Sequence, residues 1–170
     1  MTTIAQVKEV IKPLLERNSD LALVGREIYI KPVHHFARVV LIDRMLDPDL
    51  FRPQWTVAHL FEARHFLPLS WGAWLQNARS NTPGIWSVRD PDLSAAMVEA
   101  IETHALPVLR GIVSLDEYLA LVSGHFFRHH LFDWPEVKII VDVARGDLVA
   151  ARALRDTHIE QWGDDPEYDE

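Results

Sequence analysis

The spacing of apolar residues changes rhythm along this chain. Ile4, Val7, Ile11 and Leu14, with Val10 and Leu15 beside them, recur every third or fourth position, which predicts an amphipathic helix over residues 3–17. Thr3 and Gln6 have the spacing of a capping box at its start. Pro13 lies inside it, and the clash of its ring with the Glu9 carbonyl predicts a kink or an early end.

From residue 21 the period shortens. Leu21–Gly25, Arg26–Val33, Ala37–Arg44 and Phe51–Phe61 are rich in Val, Ile, Tyr, Trp and Phe and read as strands, with a turn at Asp47-Pro48-Asp49. In the last stretch Phe51, Trp55, Val57 and Phe61 share one face, and Arg52, Gln54, Thr56 and Ala58 the other. In the second, Ile28 and Ile30 oppose Glu27, Tyr29 and Lys31. Short connections favour an antiparallel meander with one face toward solvent.

Residues 62–89 mix Trp71, Trp74 and Trp86 with the breakers Pro68, Gly72, Pro83 and Gly84, and read as irregular structure with a short helix around 71–79. After Asp90 the punctuation is helical. Asp90-Pro91 supplies an N-cap with proline at the first helical position, Leu93, Met97, Ile101 and Leu109 form the apolar stripe, and Pro107 bends the helix. Ser114 with Glu117, and Asp133 with Glu136, are capping boxes for a second and third helix. Gly146 stops the third, and Asp147 caps a fourth running to about Glu160. The turn Val143–Ala151 resembles the hairpins of helical-repeat proteins, but one copy has no period and implies no solenoid. Strands first and helices afterwards give an α+β fold: an N-terminal helix and a small antiparallel sheet of three or four strands, packed against a C-terminal helical subdomain of about four helices.

Composition changes this picture little. The 170 residues, 48% hydrophobic and 25% charged, suit one globular domain, expected over 1–162. The net charge of −8 is concentrated at one end: residues 160–170 hold six acids and no base, which leaves 19 acidic and 17 basic residues elsewhere. Residues 163–170 are therefore expected to be a solvated, disordered acidic tail. A near-neutral body lacks the basic surface that nucleic-acid binding needs. The start, Met-Thr-Thr-Ile-Ala-Gln, lacks the order of a signal peptide and no apolar run could cross a bilayer, so a cytoplasmic location without a membrane partner is expected.

Candidate chemistry is sparse. With no cysteine, thiolate zinc sites and cysteine nucleophiles are excluded. Seven scattered glycines form no phosphate-binding loop, and Ser70 lacks the glycines of a nucleophile elbow. Among the nine histidines, His125 and His129 have the one-turn spacing of a metal site, set in an aromatic segment with Arg128 and no acid. His59, Glu62 and His65 miss the spacing of the metalloprotease helix. His34 and His35, adjacent in an extended segment, point to opposite sides, one toward the core and one toward solvent.

Between residues 51 and 89, Arg52, Arg64, Arg79 and Arg89 accompany Trp55, Trp71, Trp74 and Trp86, a mixture common in binding hot spots and equally in buried cores. The leading expectation is a non-enzymatic protein-interaction module of bacterial regulatory, adaptor or toxin-neutralising type. It needs no cofactor and binds a protein partner through Tyr29, Lys31, Arg52, Gln54 and Thr56. One alternative is a small metal-assisted hydrolase with His125 and His129 as first ligands, joined by His59, Glu62 or His65. Another is a binder of a small anionic ligand at Arg38 or Arg44.

Overall fold

The computed structural model describes residues 3–61, 71–77, 82–124 and 134–162, and at 134, 161 and 162 the backbone alone. The backbone falls into two compact units, Met1–Gly111 and Ile112–Glu170.

The first unit opens with α1 (Ile4–Arg17), capped as its sequence implies: the Thr3 hydroxyl accepts from the Gln6 N–H at 3.2 Å and Gln6 Oε1 accepts from the Thr3 N–H at 3.1 Å. The helix does not end at Pro13 but runs on to Arg17. Val7, Ile11 and Leu14 have no solvent-accessible surface. Burying each is worth about 1.5–3 kcal/mol, enough together to outweigh the roughly 3 kcal/mol cost of an internal proline.

Among the described residues six strands follow: β1 (Leu21–Val24), β2 (Glu27–Ile30), β3 (Phe36–Arg44), β4 (Leu50–His59), β5 (Trp71–Trp74) and β6 (Trp86–Ser87). The first four lie within a residue or three of the stretches that alternate in sequence. All pairings are antiparallel in the order β1-β2-β3-β4-β5, with β6 also on β4. The Asp47–Asp49 turn is held by the Asp49 N–H on Asp47 Oδ1 at 2.8 Å. The sheet is thus larger than the sequence indicates. The extra strands come from the segment read as irregular, and β5 replaces the helix expected around 71–79.

Register sorts the side chains. One face carries Leu21, Ile28, Ile30, Val40, Ile42, Phe51, Val57 and Trp71, all buried. The helical layer of this unit comprises α1 and a continuous run of α2 (Leu93–Ala100), a π-helical turn (Ile101–Ala105) and α3 (Leu106–Gly111). Helices α1 and α2 touch, and α3 meets β3 and β4. The bend expected at Pro107 takes the form of the π turn, where the Leu106 N–H donates to the Ile101 carbonyl. A proline one residue later has no N–H to offer and crowds the preceding turn, so wider winding there relieves the clash. Helix α2 starts at Leu93, not Pro91, after a turn in which Asp90 Oδ1 accepts from the Asp92 N–H at 3.0 Å.

The second unit is helical: α4 (Leu115–Ser123), α5 (Trp134–Ala144) and α6 (Leu148–Trp162). Ser114 and Glu117 form the capping box their spacing predicts. The hydrogen bond from the Val113 N–H, then those at Ser114, hold the Glu117 carboxyl below its usual range. Gly146, at φ 80°, ends the α5 turn, and Asp147 Oδ1 caps α6 by accepting from the Ala150 N–H at 3.0 Å. Asp142 is buried and receives Lys138 Nζ at 2.6 Å. Counting α2–α3 as one rod, four helices follow the sheet among the described residues, as expected for the α+β class. No helix among them is long and apolar enough to cross a membrane.

Candidate functional site

The second sheet face bears the predicted docking residues. Cross-strand register builds it in rows: Ala22, Tyr29, Val39, Thr56 and Gly72; then Val24, Glu27, Leu41, Gln54 and Trp74; then Asp43 and Arg52. Four predicted residues, Tyr29, Arg52, Gln54 and Thr56, do share this face. Its middle, however, is not polar surface. Ala37, Val39 and Ala58 are a buried cluster with Tyr29 packed on it, and Thr56 is 1% exposed, its hydroxyl donating to the Trp71 carbonyl at 3.3 Å. The reason is legible in β3, whose Ala37-Arg-Val-Val-Leu-Ile42 run is apolar on both sides, as in strands buried on two faces. Thr56 therefore offers no contact surface.

The remaining residues do not form one patch. Lys31 lies beyond the end of β2 and is exposed, its N–H donating to the Asp20 carbonyl at 2.7 Å. Along the strands it lies roughly 20 Å from Arg52, at about 3.4 Å per residue. Tyr29 is half-buried and its hydroxyl donates to Glu27. Burial first, then that hydrogen bond, push its pKa up to about 12.

Arg52, Gln54 and Trp74 are contiguous. The Arg52 guanidinium lies over the Trp74 ring, 4.3 Å from its centroid, while its Nε is buried without a hydrogen-bond partner among the described residues. Trp74 is 49% exposed, in contrast to Trp71 and Trp86 in the core. A side of Trp74 rests on the backbone of Gly84, where an added Cβ would come within 2.9 Å of Trp74 Cβ. Gln76 braces the same loop: its Oε1 accepts from the Gly84 N–H at 3.1 Å and its Nε2 donates to the Trp74 carbonyl at 3.3 Å. Of the other arginines in this region, Arg89 is exposed and pairs with Asp49, and Arg64 and Arg79 lie outside the described residues.

His125, His129, Glu62 and His65 lie outside the described residues, and among those described no three His, Asp or Glu side chains could hold a metal ion together. His59 is buried with its ring 6.2 Å from that of Phe61, which also stacks on His35 at 5.6 Å. His34 and His35 are both exposed, so neither turns into the core as the alternation predicted. Arg38 reaches the Pro32 carbonyl at 3.1 Å and Arg44 is exposed at the far end of β3.

Sequence reasoning missed two clefts separated by Trp86, whose Nε1 donates to the Leu75 carbonyl at 2.9 Å. One, of about 150 Å³, is walled by Gln76 and Asn77 on one side and by Glu99, Thr103 and His104 of the α2–π segment on the other. The second, of about 340 Å³, lies among Leu50, Asn77, Thr82, Ile85, Ser87 and Asp90. Neither Arg38 nor Arg44 lines either. The spacing of Glu99, Thr103 and His104 along one helical stripe was readable, but nothing local marks Gln76 and Asn77 as their facing wall. No family model matches this chain, and comparison with curated proteins and with solved structures finds no match.

Proposed function

We propose that this chain is a non-enzymatic protein-interaction module that docks a protein partner at the Arg52–Gln54–Trp74 corner of its sheet. The observation that carries the reading is the half-exposed Trp74 held in place by the Arg52 guanidinium and the Gly84 backbone. A tryptophan fixed before binding loses little rotamer freedom on docking, and Trp and Arg are among the residue types enriched where single residues dominate affinity. Tyr29 and Lys31 stand apart from this corner and serve as rim contacts at most, where substitutions change affinity little. The proposed module works without a cofactor and in the cytoplasm.

Affinity capture with Trp74→Ala and Arg52→Glu tests the assignment, each variant first shown to keep the wild-type far-UV spectrum and melting midpoint. A dominant protein retained by the wild type and lost by both variants is expected, with loss of about tenfold or more in affinity for a hot-spot pair. Equal retention by wild type and both variants overturns the reading.

A further inference from the structure

The smaller cleft beside Trp86 is built differently on its two sides. On the strand side, Gln76 is committed to the Gly84 N–H and the Trp74 carbonyl, so it is a fixed wall. Trp86 is 1% exposed and locked by its bond to Leu75, so it is a fixed floor. On the helical side, Glu99, Thr103 and His104 engage no side-chain hydrogen bond or ion pair among the described residues, yet all three border the same hollow. Ala96 and Ala100 lie between them and leave the space open; longer side chains would fill it. The π turn, wound wide ahead of Pro107, carries Thr103 and His104 to this hollow.

Charge selects the occupant. Among the described residues the lining has one formal charge, the Glu99 carboxylate, and no lysine or arginine. An anion here would face Glu99 without a compensating cation among the described lining residues, whereas Glu99, the Thr103 hydroxyl and an imidazole nitrogen can all accept hydrogen bonds. A protonated amine or a guanidinium brings the matching donors and charge. Size sets the upper limit: an enclosed cavity of about 150 Å³ holds a benzene-sized molecule, so this open one admits about six to eight non-hydrogen atoms. We infer that the cleft between Gln76–Asn77 and Glu99–Thr103–His104 is a binding site for a small organic cation bearing an ammonium or guanidinium group. This site is separate from the Trp74 corner and does not depend on the docking role.

Saturation-transfer NMR on the whole chain, with putrescine and ethylguanidine as probes and acetate and phosphate as anionic controls, tests it. Saturable binding of the cations, a shift of the Trp86 indole N–H resonance, and no binding of the anions are expected. Glu99→Gln, a nearly isosteric change at an exposed position, should weaken binding about fivefold, the scale of a solvent-accessible ion pair. Raising the salt should erase most of the same difference. Ala96→Leu, which fills the hollow from its rim, should abolish binding. Absence of cation binding, equal binding of the anions, or unchanged affinity in both variants overturns the assignment.

Discussion

Gly72 should tolerate no side chain. It sits in β5 opposite Thr56, and an added Cβ would fall on the Trp55 carbonyl oxygen and within 2.8 Å of Thr56 Cα. Both are backbone atoms of β4, which is held on its other edge by nine register pairs with β3 and cannot swing aside as a side chain could. Relief requires β5 to move away, weakening a ladder that spans only Gln54↔Trp74 to Val57↔Trp71. Overpacking typically costs about 1–3 kcal/mol, and each weakened ladder bond adds up to about 1 kcal/mol. Against this stands the benefit of replacing glycine where φ is not positive, about 0.4–1 kcal/mol through the unfolded chain. The net for Gly72→Ala is a loss of about 2–3 kcal/mol, or a fall of about 5–10 °C in melting midpoint for a chain of this size.

Gly111 provides the control. Nothing lies within 4 Å of a Cβ built there, so Gly111→Ala should be neutral or stabilising by up to about 1 kcal/mol. Urea denaturation of both variants followed by tryptophan fluorescence is the assay. Because β5 ends in Trp74, Gly72→Ala should also reduce near-UV ellipticity in the folded baseline. A Gly72→Ala midpoint equal to that of Gly111→Ala would refute the close-approach argument.

Arg110 binds Asp20 through Nε at 2.9 Å and Nη2 at 2.8 Å, and this hydrogen bonding, with its charge, holds the Asp20 carboxyl below its ordinary value. A lowered folded pKa gives stability that is present above the unfolded value and lost as pH falls through the folded one. Asp20→Asn should therefore flatten the acid limb of the stability profile below about pH 4 while costing about 0.5 kcal/mol at neutrality, the pair being more than a third exposed. An unchanged acid limb refutes it. Trp86→Phe removes the donor to the Leu75 carbonyl and leaves a void beside both clefts, so a loss of about 2–3 kcal/mol in chemical denaturation is expected; a loss under about 0.5 kcal/mol contradicts the burial argument. Tyr29, with its pKa pushed up to about 12, should be absent from the ordinary phenol ionisation step in an ultraviolet pH titration. Its raised value means stability present below pH 10 and lost as pH rises toward 12, and Glu27→Gln should move its ionisation back toward the ordinary range.

What the sequence revealed and concealed divides along the range of the interactions involved. Thr3 with Gln6 and Ser114 with Glu117 act within one helical turn, and both formed as read. The strands β1 to β4 are successive hairpin neighbours, so their alternation was enough to place them. β5 was hidden because Trp71 and Trp74 are three apart, which on a helix would put them on one side. In the strand they separate, Trp71 into the core and Trp74 to the opposite face. What decides for the strand is non-local: the open edge of β4, fifteen residues earlier, accepts a partner there, and Gly72 is small enough to come close. The Arg52–Trp74 corner is a product of that pairing, because register brings Trp74 beside Gln54, with Arg52 next along β4 on the same face. The cleft has the same origin, since the chain leaving β5 carries Gln76 and Asn77 to face a helix more than twenty residues later. Both candidate sites therefore depend on one strand whose existence no local pattern announces, and a substitution that dislodges β5 should disable the two together.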